Sequence, residues 1–535
     1  MKKLLSFLLI VLSVFLLSSC DVIFVFQTDE TQKTFNTIDF NQIIDDGSKV
    51  IVTTTNSDSI VITTTEKPSS ATTTNQSGQV ITTNNQSYSG TSYTYYDIGQ
   101  EATYYNWKYI NSIGDQKILV IPVKISEYAS LATSSLLTDI EKTFFGKSSD
   151  TYWESVTSFY YKSSYGKLNF SGEVVKDYMG PFTVDELTST KTKDGIDTVL
   201  NATDSYLTKN NINPKDYDSN NDGYIDLVWY VYAAPYATDS NGLSDDFWAF
   251  TSSPDAEDIP PSTTRPKVNN FCWASYDFMY EAKTYMIGVT GLDAHTYIHE
   301  TGHALGLDDY YDADDENGND PVENVAMMSA NVTDHDAFSK FALGWVTPRE
   351  VTENCTIVLR PFSEYGDCCI IGLNYDGNAF SEYIIFEYYT PTGLNEKDAK
   401  KGYSNTFSAI PTVSGIRIFH VDARPCYENN RGKGVVVSNL TELKNQGKEL
   451  SFLAYSNSES YAICTPKSTK LISIIDRSQG DLSTFSKTLR QNSLYVAGNT
   501  FLTSSVDWHS GTLSKNYSVT FKNTSNGIEL TFSVI

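Results

Sequence analysis

The residues best suited to chemistry lie in one short run, His299-Glu300-Thr301-Gly302-His303-Ala304-Leu305-Gly306-Leu307-Asp308-Asp309. On a helix, residues four apart share a face, so His299 and His303 can offer two imidazole nitrogens to one ion. Ala294, Ile298 and Leu305 fall on the opposite face, where they can pack into a core. Gly306 supplies the left-handed conformation that ends a helix, which lets Asp309 return beneath the ion as a third ligand. Three protein ligands leave a position for water, the mark of a catalytic zinc site and not a structural one. Glu300, next to the first ligand, is placed to take that water's proton and hand it to a leaving nitrogen.

Around this run, HETGHALGLDDYYD at 299–312 with a downstream Met resembles the metzincin signature, with Asp in place of the usual third His. The flanking sequence is similar to the immune inhibitor A-type bacterial metallopeptidases, over about residues 115–347 and more faintly beyond. It includes LVIPVKI (119–125), SFYYKSSYGKLNFSG (158–172), NNDGYIDLVWYVYA (220–233) and WASYDFM (273–279). It continues through AMMSANVTDHDAFSKFALGW (326–345), SEYIIFEYYTPTGL (381–394) and GIRIFHVDAR (415–424). The resemblance implies a zinc endopeptidase acting on polypeptide substrates, with His299, His303 and Asp309 on zinc and Glu300 as the base. It also implies a Met-turn at Met328, although the doublet Met327-Met328 leaves that register open by one residue.

The elements that must position these residues follow from hydrophobic period. Lys117 to Val123 reads as a buried strand, and Leu131 to Phe145 and Ser155 to Lys162 read as helices. Lys167 to Val175 alternates as a strand, Gly195 to Lys209 is helical, and Tyr224 to Tyr232 and Asn270 to Met279 are apolar strands. Helices alternating with strands predict an α/β catalytic domain of metzincin-like class over 101–347. After Trp345, short alternating runs such as 382–387, 415–421 and 527–534 predict an all-β, sandwich-like domain over 348–535.

Lys2 and Lys3, an apolar run from Leu4 to Leu17 and Ser18-Ser19-Cys20 describe a secretory signal over 1–19, too short to span a bilayer. The tetrapeptide ending at Cys20 resembles a bacterial lipobox, so lipidation of Cys20 and anchoring at the cell surface are expected. Residues 20–100 are rich in Thr, Ser and Asn, which predicts a flexible stalk, with a pro-segment as the rival. The net charge of −26 over 535 residues argues against nucleic acid and anionic membrane surfaces as partners.

Asp218, Asn220, Asp222, Tyr224 and Asp226 place oxygens at alternating positions around Gly223, the start of a calcium loop. Trp229 stands where an EF-hand needs Glu, so the alternatives are a shorter calcium site or an Asx-rich turn. His295 is expected behind the ligands or facing solvent, His335 in a structural role, and His420 and His509 as ordinary histidines of β segments. Cys272, Cys355, Cys368, Cys369, Cys426 and Cys464 lack metal-ligand spacing and could form disulfides outside the cell. No nucleophile elbow or P-loop occurs. A rival to the peptidase reading is a surface adhesin whose zinc helix is silent, though the intact Glu300 counts against it.

Overall fold

The computed structural model describes five short strands within residues 23–83 and most of the chain from Ile110 to Ile535. Between those two residues 189–192, 239–245, 254–258, 287, 315–320, 323–324, 330–331, 401–410, 431–432, 449, 451, 459–468, 479 and 482–491 are left out. The chain divides into two units, Met1–Ser92 and Tyr93–Ile535. Within the first, where composition predicts a stalk, Val50–Thr55 and Ser59–Thr64 pair antiparallel, as do Ala71–Thr74 and Val80–Thr83. The β-branched residues of these Thr- and Val-rich runs account for the strands. Cys20 and the signal lie outside the described residues.

In the second unit, β1 (Gly114–Ile125), β2 (Leu168–Val174), β3 (Met179–Phe182), β4 (Leu227–Tyr232), β5 (Phe250–Ser252) and β6 (Phe271–Ser275) form one sheet. Its order is β5-β6-β4-β1-β2, with β3 beside the end of β1. All its pairings are parallel except β5–β6, so an antiparallel strand forms one edge. Strands buried on both faces read as continuous apolar runs, and the period of two sorts them. Ile118, Val120, Trp229, Val231 and Cys272 enter one core, which includes residues of α1 (Ser134–Phe145), α2 (Val156–Ser163) and the helix carrying His299. Leu119, Ile121, Val228, Tyr230 and Trp273 enter another, with α3 (Lys193–Lys209). Both short helices of the first core start on side-chain caps, from Thr133 to the Leu136 amide and from Ser155 to the Ser158 amide.

Beyond Trp345 the elements change. A six-stranded sheet contains β7 (Arg349–Glu350), β9 (Cys368–Leu373), β10 (Glu382–Tyr389), β11 (Gly415–Asp422), β12 (Ile472–Asp476) and β13 (Gly480–Asp481). A four-stranded sheet contains β8 (Cys355–Leu359), β14 (Thr500–Leu502), β15 (Tyr517–Asn523) and β16 (Ile528–Val534). The two sheets share a core built from Ile371, Ile384, Phe386, Ile416 and Ile418 on one side and Phe501, Val519, Leu530 and Phe532 on the other. The opposite face of the larger sheet, with Ile370, Tyr383, Ile385 and Phe419, belongs to the core that holds the His299 helix. The boundary expected at 347 is therefore a change of element type inside one compact unit, because β9–β11 are buried on both faces. Short helices at Phe362–Tyr365, Glu396–Lys400 and Leu440–Asn445 interrupt the strands, so the second half is not purely β.

Candidate metal centre

The helix α4 spans His295–Ala304. Ala294, Ile298, Ala304 and Leu305 are buried in the core, as the helical period predicts. Its end is a Schellman closure: Gly306 (φ +97°) donates to the His303 carbonyl at 2.8 Å, and Leu307 donates to the Gly302 carbonyl at 3.1 Å. That reversal brings Asp309 back to the imidazoles. Its Oδ1 lies 3.0 Å from His299 Nε2 and 3.2 Å from His303 Nε2, and one donor atom from each of the three falls within 4.8 Å of the others.

The opposite ring nitrogens are pinned. His299 Nδ1 lies 3.0 Å from the Met327 carbonyl and His303 Nδ1 lies 2.8 Å from the Leu307 carbonyl. A carbonyl only accepts, so each Nδ1 carries the proton and each Nε2 turns its lone pair inward in the neutral ring. Burial alone would lower the His303 pKa, but the Asp309 carboxylate outweighs it and holds the metal-free ring protonated up to about 10. Burial would likewise raise Asp309, and the two imidazoles overcome it and lower it. A dicationic ligand would take the place of that proton.

Glu300 is buried beside this group, and burial raises its pKa. The Thr251 hydroxyl, on edge strand β5, lies 3.0 Å from Glu300 Oε2 and 2.8 Å from the Glu300 carbonyl. The turn beneath the helix uses both methionines. Met327 holds His299 through its carbonyl, while the buried Met328 side chain packs against Gly302, where an added Cβ would sit 2.4 Å from Met328 Sδ.

Tyr311, two residues on, donates to Asp309 Oδ2 at 2.9 Å. Other partners come from distant parts of the chain. The loop carrying Asp309 is held by the segment before β12: Asn457 Nδ2 donates to the Tyr310 carbonyl at 2.7 Å, and Lys470 reaches Asp312 at 2.7 Å. Arg417 on β11 donates to the Val325 carbonyl at 2.9 Å, just ahead of Met327.

Other predicted residues lie elsewhere. His295 is buried one turn before His299, its ring 6.5 Å away, and burial lowers its pKa to about 3, so it is neutral. His335 is buried and packed among Phe159, Tyr160 and Trp345. In the Asp-rich loop, Asp218 accepts from the Asp222 and Gly223 amides, Asp222 from the Tyr224 amide, and Asp226 from the Ser219 amide. The Asp222–Tyr224 bond is an Asx turn and the others close the loop over four to seven residues, and these carboxylates are not among the groups of three converging donors found in the described residues. Cys426 is disulfide-bonded, whereas Cys272, Cys355, Cys368 and Cys369 are free thiols.

Neither the models of known protein families nor the curated proteins contain a match to this sequence.

Proposed function

We propose that this chain is a zinc-dependent endopeptidase, exported and held at the cell surface by a lipid on Cys20. The observation that carries the proposal is the convergence of His299 Nε2, His303 Nε2 and Asp309 Oδ1, with the Glu300 carboxylate on the adjacent residue. Two imidazoles with outward protons and one carboxylate form a donor set that suits zinc and leaves a further coordination position. When bound, zinc supplies a Lewis acid that polarises a carbonyl and lowers the pKa of water.

The chain's own groups do the remaining work. Glu300 accepts a proton from the attacking water and returns it to the departing amide nitrogen, so that an amine leaves. Thr251 fixes the carboxylate rotamer. Tyr311 occupies the second oxygen of Asp309 and leaves the first directed at the imidazoles. Strand β5 forms the sheet edge next to Glu300, and its outer side has no partner strand among the described residues. An extended polypeptide pairs naturally with such an edge, which supports protein substrates over small amides.

Hydrolysis of casein tests this. The expected result is activity abolished by a zinc chelator and restored by added zinc. A fully zinc-loaded chain that cleaves no polypeptide would instead favour a binding protein. Mass analysis of the mature N-terminus tests the anchor, with a diacylated Cys20 expected and an unmodified start elsewhere refuting it. Among the described residues no helix is long and apolar enough to cross a membrane.

A further inference from the structure

The second group of converging donors in the described residues is far in sequence from α4 and plays no part in the mechanism above. It comprises Glu382, His420 and His509, each offering one donor atom within 4.8 Å of the others. Glu382 opens β10 and is paired across the ladder with Asp422 at the end of β11. On these strands the face turned to the sandwich core is apolar at Ile384, Ile416 and Ile418, then becomes Glu382, His420 and Asp422 at the strand ends. The loop after β14, in the other sheet, brings Trp508, His509 and Ser510 onto this corner.

We infer that Glu382, His420 and His509 form a second, structural zinc site that ties the two sheets of the β half together, with Asp422 holding the His509 ring.

Ligands about 2.0–2.2 Å from a tetrahedral zinc lie roughly 3.3–3.5 Å from one another. His420 Nε2 is 3.0 Å and His509 Nδ1 is 4.0 Å from Glu382 Oε1, and His509 Nδ1 is 2.9 Å from Asp422 Oδ2. These distances bracket the expected one, whereas the 3.0 and 3.2 Å at the first centre fall just short of it. The two rings are 4.8 Å apart. The carboxylates are held by neighbouring donors, as metal ligands and their partners commonly are: Glu382 Oε1 accepts from the His509 amide at 2.6 Å, its Oε2 accepts from the Ser510 amide at 2.7 Å and from the Ser510 hydroxyl, and Arg424 donates to both oxygens of Asp422 at 2.8 Å.

Charge points the same way. With both imidazoles neutral, two carboxylates face one guanidinium at a corner where Glu382 and Asp422 side chains are fully buried. An uncompensated buried charge is costly, and either a divalent cation or a protonated imidazole offsets it. The His509 side chain is 17% exposed, which leaves an ion a way in.

The test is zinc content per chain, by elemental mass spectrometry after zinc loading and dialysis of the full chain. Expected values are two equivalents for wild type, one for His303→Ala, and one for His509→Gln with casein hydrolysis retained. Cooperative unfolding of the His509 variant confirms that it is folded. A readout independent of that variant uses cobalt(II) in the His303→Ala chain, where the visible band of a tetrahedral site should remain and titrate to one equivalent. A single equivalent in wild type that His303→Ala removes entirely would overturn the inference and leave a protonated imidazole as the compensating charge. So would a second equivalent that survives His509→Gln.

Discussion

The contact between Gly302 and Met328 makes a quantitative prediction for the metal helix. In Gly302→Ala the new methyl would sit 2.4 Å from Met328 Sδ and 3.4 Å from the Tyr160 hydroxyl. Ordinary contact needs about 3.5–4.0 Å, so helix and turn must part by roughly 1.1 Å or more. Met328 is fully buried, and its carbonyl accepts from Tyr310, so the turn is poorly placed to retreat. Overpacking of this kind costs about 1–3 kcal/mol, against about 1 kcal/mol gained by replacing a helical Gly with Ala. The net expectation is a loss of roughly 0–2 kcal/mol of stability. Activity should suffer more, because a displacement near 1 Å at the site costs about a hundredfold in rate. Urea unfolding and casein hydrolysis measure both effects. Met328→Ala alone should cost about 2–5 kcal/mol, but in combination it removes the clash and should couple favourably with Gly302→Ala by about 1 kcal/mol or more. If Gly302→Ala proves more stable by about 1 kcal/mol, fully active and uncoupled to Met328, the packing account of the turn is wrong.

Two further substitutions probe the supports. Asn457→Ala deletes the buried amide that bonds the Tyr310 and Ile472 carbonyls and the Ile472 amide; a loss of about 2–4 kcal/mol in urea unfolding and weaker zinc retention in chelator competition are expected. Thr251→Val keeps the shape of the edge strand but removes the hydroxyl from Glu300, and should lower kcat about tenfold with zinc content unchanged.

The metal helix was legible because each requirement is local. A spacing of four, an apolar opposite face and a glycine stop lie within 13 consecutive residues, 294–306, and all are met in the structure. The run at 117–123 was legible as a strand, the run at 224–232 divides into a short strand at Tyr224–Ile225 and β4, and the apolar stretch at 270–279 continues past its strand as a 3-10 turn at Tyr276–Tyr280. What no spacing exposes is long-range convergence. Thr251, Asn457, Lys470 and Arg417 act on the site through contacts made by folding, and their residue types are common on any surface. His420 and His509 looked ordinary for the same reason: 89 positions separate them, and only the corner between the two sheets brings their rings to 4.8 Å. The expected break at 347 misled because alternation reports element type, and an exposed face cannot be told from one covered by a neighbouring layer.

The central claim, a divalent ion held by His299, His303 and Asp309 with Glu300 moving the proton, is tested most directly by Glu300→Gln. That change keeps the side chain's shape and leaves all three donors in place, so zinc content measured by elemental analysis should match wild type. Casein hydrolysis, which needs the carboxylate as a base, should fall by several orders of magnitude, about 10²–10⁴ at the least. Loss of zinc without loss of the fold, or proteolysis close to wild type in the zinc-loaded variant, would contradict it.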